Sequence, residues 1–131
     1  IMLKKLTNKK GFTLMEMLIV VAIIAILIAI AIPTFSGALT KAHTATDTAN
    51  IRAGYASAQI EVMTSNTVPT DTYLQPDGSI GAKNSAYKCS GEQKTVVQIG
   101  GKLNASWEKG QVIKYTVDAN GVTGISAETA S

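Results

Sequence analysis

From Met17 to Thr40 the chain runs 24 residues without a charged side chain, and no other feature restricts the fold as severely. As an α-helix that stretch is about 36 Å long, more than the roughly 30 Å of a bilayer's hydrocarbon core. Lys4, Lys5, Lys9 and Lys10 all precede it. The bias of Lys and Arg toward the cytoplasm therefore predicts an N-in, C-out span with residues 34–131 exported. A secretory signal peptide would carry a shorter apolar region, about 7–15 residues, ending at a small-residue cleavage site. One carboxylate, Glu16, stands at the head of the run. An ionised side chain at the bilayer centre costs roughly 2.5–3.5 kcal/mol on insertion scales and less near an interface, so Glu16 is expected to have a partner.

Gly11-Phe12-Thr13-Leu14-Met15-Glu16, followed by the apolar run to Pro33, resembles the N-terminal signature of type IV prepilins and their pseudopilin relatives. The resemblance covers residues 4–33. It implies cleavage after Gly11 by a membrane aspartyl peptidase, which commonly also N-methylates the new first residue, here Phe12. Thr13, Leu14 and Glu16 then belong to the processing and assembly motif. The family's glutamate falls on Glu16, implying recognition for methylation and pairing with the free N-terminal amine of a neighbouring subunit. The physics agrees: an α-amino group with a pKa near 7.7–8.0 is largely protonated at neutral pH. Phe12 and Glu16 can thus neutralise each other between staggered helices in a medium where an unpaired charge is costly.

Charge has to be counted after the expected cut. The full chain has 12 basic and 9 acidic residues, but four of the lysines lie in the leader, leaving eight against nine. The mature chain is near neutral, so the basic balance gives no support for the polyelectrolyte attraction that drives nucleic-acid binding. Cys89 is the only cysteine. No internal disulfide can form, whereas many relatives close a C-terminal loop with one; Cys89 reads as a small loop or core residue.

Beyond Pro33 the helical pattern continues. Ala42, Ala45, Ala49, Ala53, Ala56, Ile60 and Met63 recur at spacings of three and four, which predicts one helix face packed on a sheet. Lys41, Asp47, Arg52 and Glu61 fall mostly off that stripe and are expected to be solvated or to face neighbouring subunits. The pattern predicts one helix from about Thr13 to Thr64, with Gly54 as a tolerated weak point. Pro33 lacks an N–H and its ring crowds the carbonyl of Ala29, so a kink is expected there. Ala25 stands where many relatives have glycine, which weakens the case for unwinding, although some is still expected locally at Pro33, where one hydrogen bond is already lost.

Residues 65–92 are punctuated by Val68-Pro69, Pro76-Asp77-Gly78, Gly81 and Ser90-Gly91, and read as a long connecting loop. Residues 93–126 alternate like strands separated by Gly100-Gly101, Glu108-Lys109-Gly110 and Asp118-Ala119-Asn120-Gly121, a pattern that predicts an antiparallel meander. Val97, Ile99, Leu103, Trp107, Ile113, Tyr115 and Val117 are its expected inner face. The expected class is α+β: a long N-terminal helix packed on a C-terminal antiparallel sheet of about four strands, the pilin fold. Its organisation is a cleaved leader (1–11), a transmembrane and filament-core helix (12–33) and a globular head (34–131). The head comprises amphipathic helix 34–64, connecting loop 65–92 and meander 93–126.

No catalytic set emerges. His43 is the sole histidine and has no paired acid or nucleophile in the pattern. Asp71 and Asp77 lie in no ligand-dense loop of the calcium-binding kind. No enzyme activity, cofactor or metal is expected. The resemblance implies a structural subunit that forms a helical homo-oligomer and serves adhesion, motility or DNA uptake. Its partners would be prepilin peptidase and methyltransferase, a membrane assembly platform with its cytoplasmic ATPase, and membrane lipid before assembly. The precursor would reside in the cytoplasmic membrane and the assembled form on the cell surface. Two alternatives are a pseudopilin of a type II secretion or competence system, and a minor or tip pilin acting as a binding module.

Overall fold

The computed structural model describes residues 13–130, and its first element follows from the uninterrupted apolar run. Helix α1 spans Leu14–Thr64, 51 residues, and continues through Pro33. Loss of the proline N–H is accompanied by a local side-chain bond: the Thr34 hydroxyl donates to the Ile30 carbonyl at 3.2 Å. The chain divides into two units, one ending at Ala38 and the other running from Leu39 to Ser131. In the first, every described residue from Thr13 to Ala38 is exposed, Ile30 and Phe35 by 63% and 66%. That helix is long and apolar enough to cross a membrane.

The second unit, the head, is a helix packed on antiparallel strands. Strands β1 (Tyr73–Leu74), β2 (Ile80–Gly81), β5 (Val112–Asp118) and β6 (Gly121–Glu128) form a four-stranded sheet in the order β2-β1-β5-β6. Strands β3 (Gln93–Ile99) and β4 (Leu103–Trp107) form a separate pair. The fold is α+β, as the sequence predicts.

The uniform meander is corrected to two hairpins. β4 does not pair with β5 because both edges of β5 are taken. β6 lies along one edge, from Val112 opposite Glu128 to Asp118 opposite Gly121. On the other edge Tyr73 pairs with Lys114, Lys88 bridges to Val112, and the Cys89 N–H donates to the Gln111 carbonyl at 2.9 Å. The connecting loop therefore supplies strands. Two-residue ladders are too short to leave a period in the sequence, so β1 and β2 read as turns. Two of the three expected hairpin turns are present, at Gly100-Gly101 and Asp118-Ala119-Asn120-Gly121, while Glu108-Lys109-Gly110 joins strands of different sheets; Gly100 and Gly101 adopt φ of 64° and 78°, the left-handed region that favours glycine.

The predicted inner face of the strands is largely the core. Ile99, Trp107, Ile113 and Tyr115 are buried with Ile51, Ala58, Leu74, Cys89 and Ala105, and Val97 and Val117 pack against them. The helix face is a correction. All seven residues of the expected stripe are exposed; the buried ones are Asp47, Ile51, Gly54, Ala58 and Val62. At 100° per residue the two stripes lie on nearly opposite sides of α1.

Gly54 explains the choice of side and is no weak point. A Cβ there would overlap the Tyr115 hydroxyl and come within 2.6 Å of Leu74 Cδ1, so the helix backbone lies directly on the sheet. Tyr115 secures the approach, its hydroxyl donating to the Ile51 carbonyl at 2.6 Å. Gly54→Ala is expected to destabilise the head by up to about 2 kcal/mol, because overpacking of about 1–3 kcal/mol outweighs the roughly 1 kcal/mol gain in helix propensity. Gly37→Ala, with nothing within 4 Å of the added methyl, should not lower stability. Urea unfolding of the full chain in detergent, followed by Trp107 fluorescence, separates the two.

Candidate functional site

The motif residues fall at the very start of α1. Gly11 and Phe12, the expected cleavage and methylation positions, lie outside the described residues. Thr13 is the last residue before the helix, Leu14 its first, and Glu16 sits in its first turn. The Glu16 N–H donates to Thr13 Oγ1 at 3.0 Å, and the Thr13 N–H donates to Glu16 Oε2 at 3.1 Å. The Thr13 carbonyl accepts the first intrahelical bond, from Met17 N–H at 3.2 Å. This is a reciprocal capping box, in which two of the orphan donors at a helix start satisfy each other's side chains. Sequence reasoning missed it, although Thr-x-x-Glu before an apolar run is its signature. Glu16 thus has a partner within its own chain. Its carboxylate also lies at the helix N-terminus, where the helix dipole favours negative charge.

A second polar centre lies in the head and was likewise missed. Asp47, expected to be solvated, is fully buried. Its Oδ1 accepts from the Tyr87 hydroxyl at 2.7 Å, the Ser90 N–H at 2.8 Å and the Ser90 hydroxyl at 3.0 Å. Its Oδ2 accepts from the Gly91 N–H at 2.7 Å and Trp107 Nε1 at 3.0 Å. Burial alone pushes the carboxyl up, but the bonds from Ser90, Tyr87, Gly91 and Trp107 outweigh it and hold Asp47 below the usual carboxylate range. The signal in the sequence was phase: Asp47 shares a face with Ile51, Gly54, Ala58 and Val62. A carboxylate on an apolar phase implies donors arriving from elsewhere.

Asp47 is a structural tie between helix, loop and β4. Its neighbour Cys89 is buried, and burial, with the Asp47 charge, pushes the thiol up to about 12, so the sulfur stays protonated at neutral pH and is no nucleophile. Among the described residues, no three His, Cys, Asp or Glu side chains converge as a metal cluster. A cleft of about 490 Å³ is lined by Lys94, Asn104, Ser106, Glu108, Gln111 and Ser126 among others. Within it Gln111 is engaged by the Glu108 N–H at 2.9 Å.

These features define a chain whose membrane-length apolar helix opens on a capped acidic turn and which carries a small α+β head. Residues 6–32 match the family model of the prokaryotic N-terminal methylation motif, and the chain carries the type IV prepilin signature. The match supports a type IV pilin-like or pseudopilin-like precursor. No solved structure matches the chain.

Proposed function

We propose that this chain is a structural subunit of a type IV pilus. In this reading residues 1–11 are a cytoplasmic leader, residues 12–33 hold the precursor in the cytoplasmic membrane, and residues 34–131 lie outside. Prepilin peptidase cuts after Gly11 and the new terminus, Phe12, is N-methylated. The assembly platform and its ATPase then lift the chain into a helical homo-oligomer whose core is built from residues 12–33.

The supporting observation is the contrast between the matched motif and the helix that follows it. From Leu14 to Phe35 the large apolar side chains are exposed by 45–66%. At about 25 cal/mol per Å² that surface cannot remain in water; it requires lipid or neighbouring subunits. Lipid tails are nearly as apolar as these side chains, so polymerisation gains little from burial alone and depends on packing and polar pairing. The exposed face of the head helix suits such packing: Ala42, Ala45, Ala49, Ala53 and Ala56 are small enough to let another helix approach closely.

Mass spectrometry of material sheared from the cell surface tests the reading. The expected result is this chain as the dominant species, beginning at N-methylated Phe12. Recovery only from the cell envelope as a processed minor component would favour a pseudopilin. A chain that retains its first eleven residues and remains a membrane monomer would refute both.

A further inference from the structure

The cleft in the head is walled by polar groups that the chain itself leaves unused, and it runs along two unpaired strand edges. β4 and β6 are the terminal strands of their sheets and lie side by side. Among the described residues β4 pairs only with β3 and β6 only with β5, so each keeps one backbone edge without a ladder. Side chains alternate between the two faces of a strand, yet the cleft meets four consecutive residues of β4, Asn104 to Trp107, and three of β6, Ile125 to Ala127. It therefore follows the edges, where backbone N–H and C=O groups are rigidly placed and in want of partners. We propose that this cleft binds a neutral saccharide of about two rings. The inference goes beyond the pilus reading and does not depend on it, because the site belongs to the head alone.

The walls carry the chemistry a sugar requires. A sugar hydroxyl both donates and accepts, and carboxamides and hydroxyls are the uncharged side chains that answer in both senses. Asn104, Ser106, Gln111 and Ser126 line the cleft. Asn104, Ser106 and Ser126 are exposed, and among the described residues none of the three side chains has a hydrogen bond within the chain. Gln111 uses only its Oε1, which accepts from the Glu108 N–H. Elsewhere in the head Ser57, Gln59, Gln75 and Ser90 are engaged internally. Charge disfavours an ionic ligand: Lys94 and Glu108 both line the cleft and offset each other, and Lys94 already lies 3.8 Å from Glu92. Val96, 61% exposed, and Ile125 supply apolar surface for the C–H face of a ring. The volume, about 490 Å³, falls in the range of small-molecule sites, about 300–1,000 Å³. Four residues of β4 extend about 10 Å, room for two rings end to end. A peptide strand would have to force β4 and β6 apart to pair with either edge, whereas a sugar rests in the groove as it stands.

Trp107, the sole tryptophan, lines the cleft and reports on its contents. The full chain, in a detergent without a sugar headgroup, is titrated with cellobiose, maltose, lactose and N,N′-diacetylchitobiose, and separately with inorganic phosphate and tetra-alanine. At least one disaccharide should change Trp107 fluorescence saturably at millimolar concentration and shift the backbone amide resonances of Ser106 and Ser126. Asn104→Ala and Ser126→Ala are surface changes that should leave urea unfolding unaltered. Each should weaken the binding about two- to tenfold, the contribution of one hydrogen bond, while Lys102→Ala, outside the cleft, should not. No response to any of the four disaccharides overturns the proposal, as does binding that Asn104→Ala and Ser126→Ala both leave unchanged. A stronger response to phosphate or to tetra-alanine than to every disaccharide overturns it too, in favour of an anion site or of strand pairing. Should a variant unfold, the amide shifts of the unsubstituted chain decide alone.

Discussion

Replacing Asp47 by alanine is expected to lower the stability of the head by about 3–5 kcal/mol, the range for removing one partner of a buried charged network. Five bonds end on this carboxylate, from Tyr87, Ser90 (two), Gly91 and Trp107. Alanine leaves their donors buried without acceptors, at about 1–3 kcal/mol each where water cannot reach them. A domain's total stability is about 5–15 kcal/mol, and so small a head lies toward the lower end. Urea unfolding of the full chain in detergent should therefore show Asp47→Ala largely unfolded at low denaturant, with Trp107 fluorescence reporting the loss directly. Asp47→Asn should fall between, because its NH₂ faces one of the two donor groups that the oxygens now serve.

The pH dependence has a definite sign. The folded carboxyl lies below its usual range, so the native state binds the Asp47 proton less readily than the unfolded chain. This contribution is fully present above the unfolded value of about 3.9 and is lost as pH falls through the lower folded value. Acid should therefore loosen the head of the natural chain through Asp47, and this component should be absent from Asp47→Asn. An equal acid response in the two would show that other carboxylates dominate.

The sequence made some parts of this molecule legible and hid others for identifiable reasons. The long apolar helix was readable because 24 residues without a charge or a turn cluster leave few alternatives to a helix. The β3–β4 and β5–β6 hairpins were readable because Gly100-Gly101 and Asp118-Ala119-Asn120-Gly121 are turn chemistry. The buried face of α1 was not. Alanines are scattered around the helix, so periodicity pointed to Ala42, Ala45, Ala49, Ala53 and Ala56. The real choice was made by Gly54, which admits Tyr115 and Leu74, and by Asp47, which collects donors forty or more positions away. Such residues look like a helix weakness and a solvated charge until their partners are known. The same applies to Glu16: read alone it is a charge in need of a neighbour, and only its pairing with Thr13 shows that the chain meets that need itself.

Glu16→Ala is expected to leave membrane insertion of the precursor intact while reducing fibre yield by more than about tenfold. The two effects should diverge because the carboxylate acts oppositely in each step. An ionised group in the membrane disfavours insertion, by up to roughly 2.5–3.5 kcal/mol at the bilayer centre, so its removal can only ease entry of the precursor. In a fibre the same substitution would leave a neighbour's charged amine without a counter-charge. Loss of one partner of a buried pair costs about 3–5 kcal/mol, and each 1.4 kcal/mol is about tenfold in an association constant. Cell fractionation with quantification of membrane and sheared material measures both steps in one culture. A fall in both fractions would indicate degradation of the chain, whereas normal fibre yield would show that Glu16 has no role in joining subunits.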